Sequence, residues 1–298
     1  MSRAPRASRT SAGGRLAGWL FVAPAVTMYA AFVLVPLGTA AQYSLYDWNG
    51  IGPSRWVGLQ NYVDILVDPR RLAPIGNAFF LIVFFTVVPV CSGLALASLI
   101  RTLRSRGLAA AGRTVLFLPQ IVPLVAAGIA WSWVYSENGV LNQALRTLGL
   151  GSLTRAWLGD FDTALVAVGF IGTWVLTGLC TVLLLTGMGK IDPSLYESVR
   201  LDGGNWWHEL RAVTLPSLMN ELGVLVTLTT IAALASFDIV FITTRGGPGT
   251  STMVPGVEVY RLAFTEREIG SASAMGVLLM CLVLLVVLPI QRFFRGRA

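Results

Sequence analysis

Six long apolar runs constrain the fold of this 298-residue chain more than any other feature. Each is nearly free of charge and is bounded by Arg, Asp, Gly or Pro. The runs lie at 17–44, 77–100, 114–135, 163–187, 218–240 and 271–291. About 20 apolar residues in a helix cross the hydrocarbon core of a bilayer. The sequence therefore predicts an all-α membrane protein with six transmembrane helices.

Composition supports this prediction. Hydrophobic residues make up 55% of the chain and charged residues only 12%, with a mean hydropathy of +0.70. A globular domain carries roughly 25% charged residues, so this chain cannot cover its surface with polar groups and needs lipid around it. The first run is much longer than the core of a signal peptide, and five more runs follow it, which favours an uncleaved first helix.

The third run, 114–135, is the least regular because it contains Pro119 and Pro123. Proline is tolerated in membrane helices where neighbouring groups satisfy the freed carbonyls. We therefore predict a span here as well.

The distribution of Lys and Arg predicts the orientation. With the N-terminus inside, the inner segments hold 14 of the 22 Lys and Arg residues, and the outer loops hold eight together with nine carboxylates. The positive-inside rule then places both termini in the cytoplasm. This divides the chain into a cytoplasmic tail 1–16, a transmembrane domain 17–291 and a second tail 292–298. The net charge of +7 reflects topology and anionic lipid, and we expect no nucleic-acid partner.

Metal and triad chemistry have little support in the sequence. His208 is the single histidine, and Cys91, Cys180 and Cys281 lack the spacing of metal ligands. We interpret the three cysteines as small packing residues within spans.

The sequence also lacks a nucleotide-binding loop. Gly189-Lys190 is followed by Ile191 instead of Ser or Thr, and Gly149–Gly151 does not continue to a third glycine because Thr154 stands there. If the protein uses ATP, another chain must bind it.

Ionisable residues inside spans usually mark function. Only two come near a span here, Glu221 at the inner end of the fifth and Asp238 near its outer end. We expect Glu221 to lie at the interface and Asp238 to face protein or a watery cavity.

The inner loop after the fourth run is long and polar. Asp192-Pro193 is a typical helix start, and Gly203-Gly204 is a typical helix end. Asn205 is placed to cap a second short helix, which contains Trp206, Trp207, Leu210 and Val213 at helical spacing. Leu195, Val199 and, less well aligned, Leu201 are the expected apolar side of the first helix. Two interpretations remain open: an amphipathic element on the bilayer, or a docking element for a soluble partner.

Within this loop, Glu197-Ser198-Val199, Asp202-Gly203 and Leu215-Pro216 resemble the EAA loop of permeases in binding-protein-dependent ABC importers. Ser198 and Val199 replace the two alanines of that motif, and Gly204 replaces the last one. Further segments along the chain resemble the sugar-type permeases of that family. The segments that carry it are Phe21–Pro24, Ser44–Trp48, Val57–Tyr62, Leu118-Pro119 with Pro123 and Trp131, Gly139–Asn142, Trp157–Gly159, Phe237-Asp238, and Gly246–Pro248 with Thr250 and Thr252.

The resemblance implies a type I importer permease fold in a bacterial or archaeal inner membrane. It implies a distinct second permease subunit, two ATPase subunits that bind ATP and Mg, and an extracytoplasmic solute-binding protein. This chain itself would bind no cofactor and have no enzymatic activity. The loop 188–217 would couple to the ATPase through Glu197, Arg200, Asp202, Gly203, Gly204, Leu215 and Pro216.

Two further sites follow from the same resemblance. Trp174, Ser236, Phe237 and Asp238 are the expected substrate-pathway residues, because an aromatic face with hydroxyl-pairing groups suits a sugar. Gly246, Gly247, Pro248 and Thr250 are expected to contact the binding protein. The expected substrate is a mono- or oligosaccharide. Glycerol 3-phosphate or a glycerophosphodiester is the alternative, and a membrane-embedded enzyme or stand-alone carrier is the alternative class.

Overall fold

A computed structural model describes residues 12–103 and 105–296, with side chains from residue 19 onward. Of the predicted cytoplasmic tails, residues 1–11 and 297–298 lie outside the described residues, and so does Arg104. The predicted cytoplasmic side of the protein is called the inner side here, and the opposite side the outer side.

Most of the described chain is helical. The helices are α1 (Ala12–Tyr29), α2 (Val35–Tyr43), α3 (Gln60–Val67), α4 (Pro69–Ile82), α5 (Val88–Thr102), α6 (Arg106–Ile121), α7 (Leu124–Val134), α8 (Val140–Thr147), α9 (Ala164–Met188), α10 (Pro193–Leu201), α11 (Trp206–Glu209), α12 (Leu215–Ser217), α13 (Met219–Leu234), α14 (Asp238–Thr243), α15 (Pro255–Tyr260) and α16 (Ile269–Arg295). Two two-residue strands, β1 (Tyr46–Asp47) and β2 (Arg55–Trp56), pair antiparallel at the outer end.

Within the described residues, five helical stretches are long and apolar enough to cross a membrane. They are Trp19–Tyr43, Pro69–Thr102, Ala164–Met188, Met219–Thr243 and Ile269–Arg295. They match five of the six predicted spans, although the second begins eight residues earlier than 77 and the last continues to Arg295. Two of them are joined from two helices through a π-helical turn, Ala30–Leu34 between α1 and α2 and Val83–Val87 between α4 and α5.

The third predicted span is formed by two helices with a sharp bend between them. Helices α6 and α7 meet at an angle of 98°. Pro119 lies inside α6, whereas Pro123 separates the two helices. The residue before a proline is driven out of the helical region, and Val122 is accordingly extended at ψ 127°. The predicted span over 114–135 is therefore present as a bent pair of helices, with its break at Pro123.

Helix α9 is the most buried of the spans and forms the centre of the fold. Its glycines allow close approach of neighbouring helices, as is common between membrane helices. A Cβ atom at Gly172 would overlap the ring of Phe85, and one at Gly178 would overlap the carbonyl oxygen of Leu116. Thus α5 with its π-helical turn packs on one side of α9 and α6 on another.

The three cysteines differ in their surroundings. Cys180 on α9 is fully buried in the inner core with Leu184 and Leu218, as expected for a packing residue. Cys91 and Cys281 are exposed on the surface of the chain, so the packing role predicted for them is not found within this subunit.

The first span has no buried residue from Trp19 to Tyr43. Large side chains such as Phe21 and Phe32 are almost fully exposed. A surface of this kind requires an apolar environment, which agrees with a helix in a membrane.

Two asparagines explain outer segments that the sequence analysis singled out. Asn61 donates from Nδ2 to the carbonyls of Ser44 (2.8 Å) and Tyr46 (2.9 Å), and the Tyr62 hydroxyl bonds Ser44 Oγ at 2.7 Å. Asn142 is buried and binds three backbone carbonyls, while its Oδ1 accepts from Trp157 Nε1 at 2.9 Å. Asn61 and Asn142 therefore connect the outer loops to the ends of the spans through hydrogen bonds, and their role is structural.

Candidate functional site

The polar loop after α9 folds into two short helices, as the sequence predicts. Asp192 caps α10: its Oδ1 accepts from the Ser194 N–H at 2.9 Å. That hydrogen bond to the charged carboxylate lowers the pKa of Asp192. Gly203 follows α10 with a φ of +78°, a conformation in which glycine is unstrained. Gly204 packs closely against Val199, and a Cβ there would lie 2.5 Å from a Val199 methyl.

The second short helix, α11, begins with a reciprocal cap. Asn205 Oδ1 accepts from the N–H groups of Trp207 (3.0 Å) and His208 (3.3 Å). His208 Nδ1 in turn accepts from the Asn205 N–H at 3.3 Å. This arrangement satisfies donors that a helix start leaves free, and it gives His208 a role that the sequence analysis did not assign.

An ion pair links α10 to α11. Arg200 Nε lies 2.6 Å from Glu209 Oε1, and this contact raises the pKa of Arg200. Arg200 is largely exposed, so solvent screens the pair and its contribution to stability is small. The structure thus places Arg200, one of the predicted coupling residues, in an internal contact.

Tyr196 anchors α10 to the transmembrane helices, a contact that the sequence analysis missed. It is the only buried residue of α10. Its hydroxyl lies 3.2 Å from Thr214 Oγ1, and the Arg101 guanidinium lies 3.6 Å above its ring. The signal in the sequence was the one aromatic residue of this helix. The aligned apolar residues Leu195 and Leu201 do not make this attachment, because both are exposed.

Of the three residues predicted to form the apolar side of α10, Val199 is half-buried. Leu195, Leu201, Trp206 and Trp207 instead protrude from the element. Glu197 and Asp202 are exposed beside them. At the far end of the loop, Leu215 packs into the inner core, and Pro216 is exposed in the first turn of α12. Residues 193–209, which we call the protruding element, present apolar and acidic groups to the inner side.

The fifth span is interrupted at the predicted substrate-pathway residues. Helix α13 ends at Leu234 and α14 begins at Asp238, so Ala235–Phe237 is not helical. Non-helical backbone at membrane depth is tolerated only in protein or along a water-filled cavity. A cavity of about 190 Å³ lies at this break, lined by Ser236, Phe237, Asp238 and Leu124, among others. The buried Ser236 Oγ has no hydrogen-bond partner in the described chain.

The structure brings Ser236, Phe237 and Asp238 together but not Trp174. Phe237 stacks on Phe241 with ring centroids 4.9 Å apart. Trp174 lines a separate, apolar hollow on the outer half, where it packs edge-on against Trp131 at 5.6 Å. Leu124, the first residue of α7 after the bend, also reaches the Ser236 cavity. The bend in the third span and the break in the fifth therefore meet at one place.

The outer loop Gly246–Thr250 is tightly built. Gly246 has a φ of +91°, and a Cβ there would lie 2.7 Å from Met253 Sδ. The Gly247-Pro248 peptide is cis. The buried Thr252 hydroxyl donates to the Gly247 carbonyl at 2.8 Å, and its oxygen lies 2.7 Å from Thr244 Oγ1. Gly249 and Thr250 are exposed at the tip.

Two other expectations concern charge. Glu221 is paired with Lys190 at 3.4 Å at the inner end of α13, in agreement with an interfacial position. Among the described residues, no three His, Cys, Asp or Glu side chains form a group that would hold a metal ion.

This fold is shared with solved ABC importers. A bacterial ABC transporter involved in import of the acidic polysaccharide alginate matches with a TM-score of 0.80 at 22% identity, over 94% of this chain and 96% of that chain. The same transporter in complex with an alginate-pentasaccharide-bound periplasmic protein matches with a TM-score of 0.78 at 22% identity, over 94% of both chains. The architecture is thus that of an ABC importer permease.

Sequence comparison identifies the family. The family described as "Binding-protein-dependent transport system inner membrane component" matches residues 90–298, and the chain belongs to it. The probable ABC transporter permease protein YurN of Bacillus subtilis is 33% identical over 93% of this chain and 95% of its own length. The trehalose/maltose transport system permease protein MalF of Thermococcus litoralis is 32% identical over 93% of this chain and 94% of its own length. The lactose transport system permease protein LacF of Rhizobium radiobacter is 32% identical over 94% of each chain. The protein is therefore an inner-membrane permease.

Proposed function

We propose that this permease takes up a carbohydrate in an ATP-driven importer and receives the work of ATP hydrolysis through its protruding element. The observation that carries this proposal is the exposure of Leu195, Leu201, Trp206 and Trp207 on an element that is otherwise rigidly capped and anchored. Large apolar groups exposed together mark an interaction site. A rigid element transmits a push, whereas a loose loop would absorb it.

The partner at this surface is an ATPase subunit, which binds ATP and Mg in place of this chain. Glu197 and Asp202 offer carboxylates to basic groups of that partner, and the leucines and tryptophans supply the apolar contact. Tyr196 then passes the displacement to α5 and to the segment before α13 through Arg101 and Thr214. Two ATPase subunits and a distinct second permease subunit complete the membrane complex.

The substrate passes the cavity at the break in the fifth span. There Phe237 offers a ring face, and Ser236 and Asp238 offer groups that pair with hydroxyls. Movement of α13 relative to α14 at the unwound Ala235–Phe237 would open this cavity to one side at a time. On the outer side, Gly249 and Thr250 at the tip of the rigid loop contact the solute-binding protein.

A neutral sugar fits this cavity better than a phosphate ester. Among the described residues that line it there is no Arg or Lys, whereas phosphate recognition usually relies on arginine. Arg245 is the nearest arginine in sequence and lies in the outer loop. Relatives named for lactose, trehalose/maltose and diacetylchitobiose uptake also support a carbohydrate.

Reconstitution tests the function as a whole. The chain would be inserted into proteoliposomes with its second permease, the ATPase and the binding protein, and uptake of labelled lactose, maltose, trehalose, diacetylchitobiose and glycerol 3-phosphate would be followed. We expect uptake of one sugar class, with every component required. Uptake by the chain alone would overturn the proposal, and uptake of glycerol 3-phosphate alone would overturn the sugar assignment.

Glu197→Lys is expected to weaken ATPase association. The change reverses a charge on the exposed face of α10 without touching a buried contact. Removal or reversal of a charged pair at an interface costs about 2 kcal/mol or more, which is roughly a 30-fold loss of affinity. The measurement is the amount of ATPase that co-purifies with the tagged permease. Glu137→Lys, an exposed reversal on the outer side, serves as the matched control. Equal recovery of ATPase with both variants would contradict the docking surface.

Asp238→Ala is expected to reduce transport about 10- to 100-fold and leave the complex assembled. A hydrogen bond from a substrate hydroxyl to a carboxylate is worth about 1.5–3 kcal/mol. Asp238 is exposed and makes no bond that holds the fold, so the chain should remain stable. Sugar uptake and ATPase co-purification would be measured in parallel with Asp162→Ala, which removes an exposed outer carboxylate away from the cavity. Normal uptake by Asp238→Ala would exclude this role.

A further inference from the structure

A cavity of about 740 Å³ opens between the inner ends of α5, α6 and α9 and the first helix of the protruding element. Of the residues that the structure describes, four arginines line it, Arg101, Arg106, Arg113 and Arg200, together with one carboxylate, that of Glu197. The proposed transport function uses three residues of its rim, Arg101, Tyr196 and Glu197, but gives no role to Arg106 and Arg113 or to the space between them.

The positive charge in the cavity is largely uncompensated. Arg200 is paired with Glu209, and Arg101 is stacked over Tyr196. Arg106 and Arg113 have neither an ion pair nor a side-chain hydrogen bond to any residue that the structure describes. Planar guanidinium groups bind phosphate oxygens through two parallel hydrogen bonds. The chemistry of the cavity therefore favours a phosphate group.

The rest of the wall is apolar, which distinguishes two sources of phosphate. Ile100, Leu185, Met188 and Ile191 line the side toward the spans. A free phosphate ion would leave this wall in water, whereas a phospholipid would place its phosphate on the arginines and its glycerol and first methylenes on the apolar side. Since α5 and α9 end here, the cavity lies at the level of the lipid head groups.

We propose that this cavity binds the phosphate head group of an anionic phospholipid from the cytoplasmic leaflet. Basic pockets between transmembrane helices on that side hold anionic head groups. Arg106 and Arg113 lie on one face of α6, seven residues apart, so both can donate to the same head group. Glu197 borders the same cavity, so the bound lipid lies beside the element through which the ATPase acts.

The experiment uses the purified full chain in neutral detergent, titrated with dioctanoyl phosphatidylglycerol, dioctanoyl phosphatidylcholine or inorganic phosphate. Binding is read from native mass spectrometry and from the rise in the thermal unfolding midpoint. We expect phosphatidylglycerol to bind most tightly and inorganic phosphate to give no shift. In Arg106→Gln/Arg113→Gln, the affinity for phosphatidylglycerol should fall about 30-fold, since each basic residue near anionic lipid is worth about 1 kcal/mol.

Two controls separate a lost site from a lost fold. Arg211→Gln removes an exposed inner charge outside the cavity and should bind phosphatidylglycerol like the wild type. Arg106→Lys/Arg113→Lys keeps both charges and should retain most of the affinity. Equal affinity for phosphatidylcholine, an equal shift with inorganic phosphate, or unchanged phosphatidylglycerol binding by the glutamine variant would each overturn the proposal.

Discussion

Gly178→Ala is expected to destabilise the fold strongly, although it adds a single methyl group. The new Cβ would occupy the position of the Leu116 carbonyl oxygen, and it would also crowd the Phe117 Cα at 3.2 Å. Both are backbone atoms, so no side-chain rotation relieves the overlap and α6 must move away from α9. Overpacking of a core costs about 1–3 kcal/mol, occasionally more. A backbone clash belongs at the upper end, which corresponds to about a 100-fold loss in the ratio of folded to unfolded protein.

The measurement is the yield of monodisperse protein in detergent and its thermal unfolding midpoint. Gly276→Ala is the matched control, because it adds the same methyl group within the transmembrane helix α16 at a place with no atom within 4 Å. That variant should be as stable as the wild type or slightly more stable, since alanine favours helix. Equal midpoints for the two variants would show that α6 does not lie where the close approach at Gly178 places it.

Five of the six spans were predictable because crossing a bilayer demands a run of apolar residues whatever the neighbours are. The start and end of α10 and the start of α11 were also predictable, because they depend on local contacts. Asp192, Gly203 and Asn205 act on their own backbone within three residues, so the sequence contains nearly all the information needed.

The bend between α6 and α7 was harder to predict. Pro119 and Pro123 are chemically equivalent in the sequence, yet Pro119 stays inside a helix while Pro123 ends one. The difference lies in the neighbours: Gly178 brings the Leu116 carbonyl against α9, so the α6 segment is held in place before Pro123. Gly128 of α7, in turn, lies against Ile242 of α14. Contacts between residues this far apart in the sequence cannot be predicted from the local sequence pattern.

The candidate site was predicted unevenly for the same reason. Ser236–Asp238 was predicted because an acidic residue in an apolar run is conspicuous. The break in the helix was not predicted, because no proline or glycine lies at this position. Trp174 was placed by analogy and lines a different hollow. On α10, periodicity identified the apolar side but not the attachment to the spans, because the buried residue is Tyr196, whose partners Arg101 and Thr214 come from other segments.

Tyr196→Ala is expected to uncouple ATP hydrolysis from transport. The tyrosine is the one buried side chain of α10, and it joins the protruding element to α5 and to the segment that leads into α13. Truncation of a buried aromatic residue to alanine costs about 3–5 kcal/mol. The caps and the Arg200–Glu209 ion pair hold the protruding element together without Tyr196. The lost free energy therefore weakens mainly the attachment of the element to the spans. We expect the ATPase to remain bound and active, with sugar transported per ATP reduced about 100-fold in proteoliposomes.

Tyr196→Phe separates the ring from the hydroxyl. It keeps the ring beneath Arg101 and loses only the bond to Thr214, about 1 kcal/mol, so transport per ATP should stay within a few-fold of the wild type. Arg101→Gln should fall between the two, since an exposed cation–π contact is worth about 0.5–1 kcal/mol. If Tyr196→Phe is as damaging as Tyr196→Ala, the hydroxyl carries the coupling instead of the ring. If Tyr196→Ala transports as much sugar per ATP as the wild type, the displacement of the protruding element must reach the spans through the covalent chain alone, at Met188–Pro193 and Leu210–Leu215.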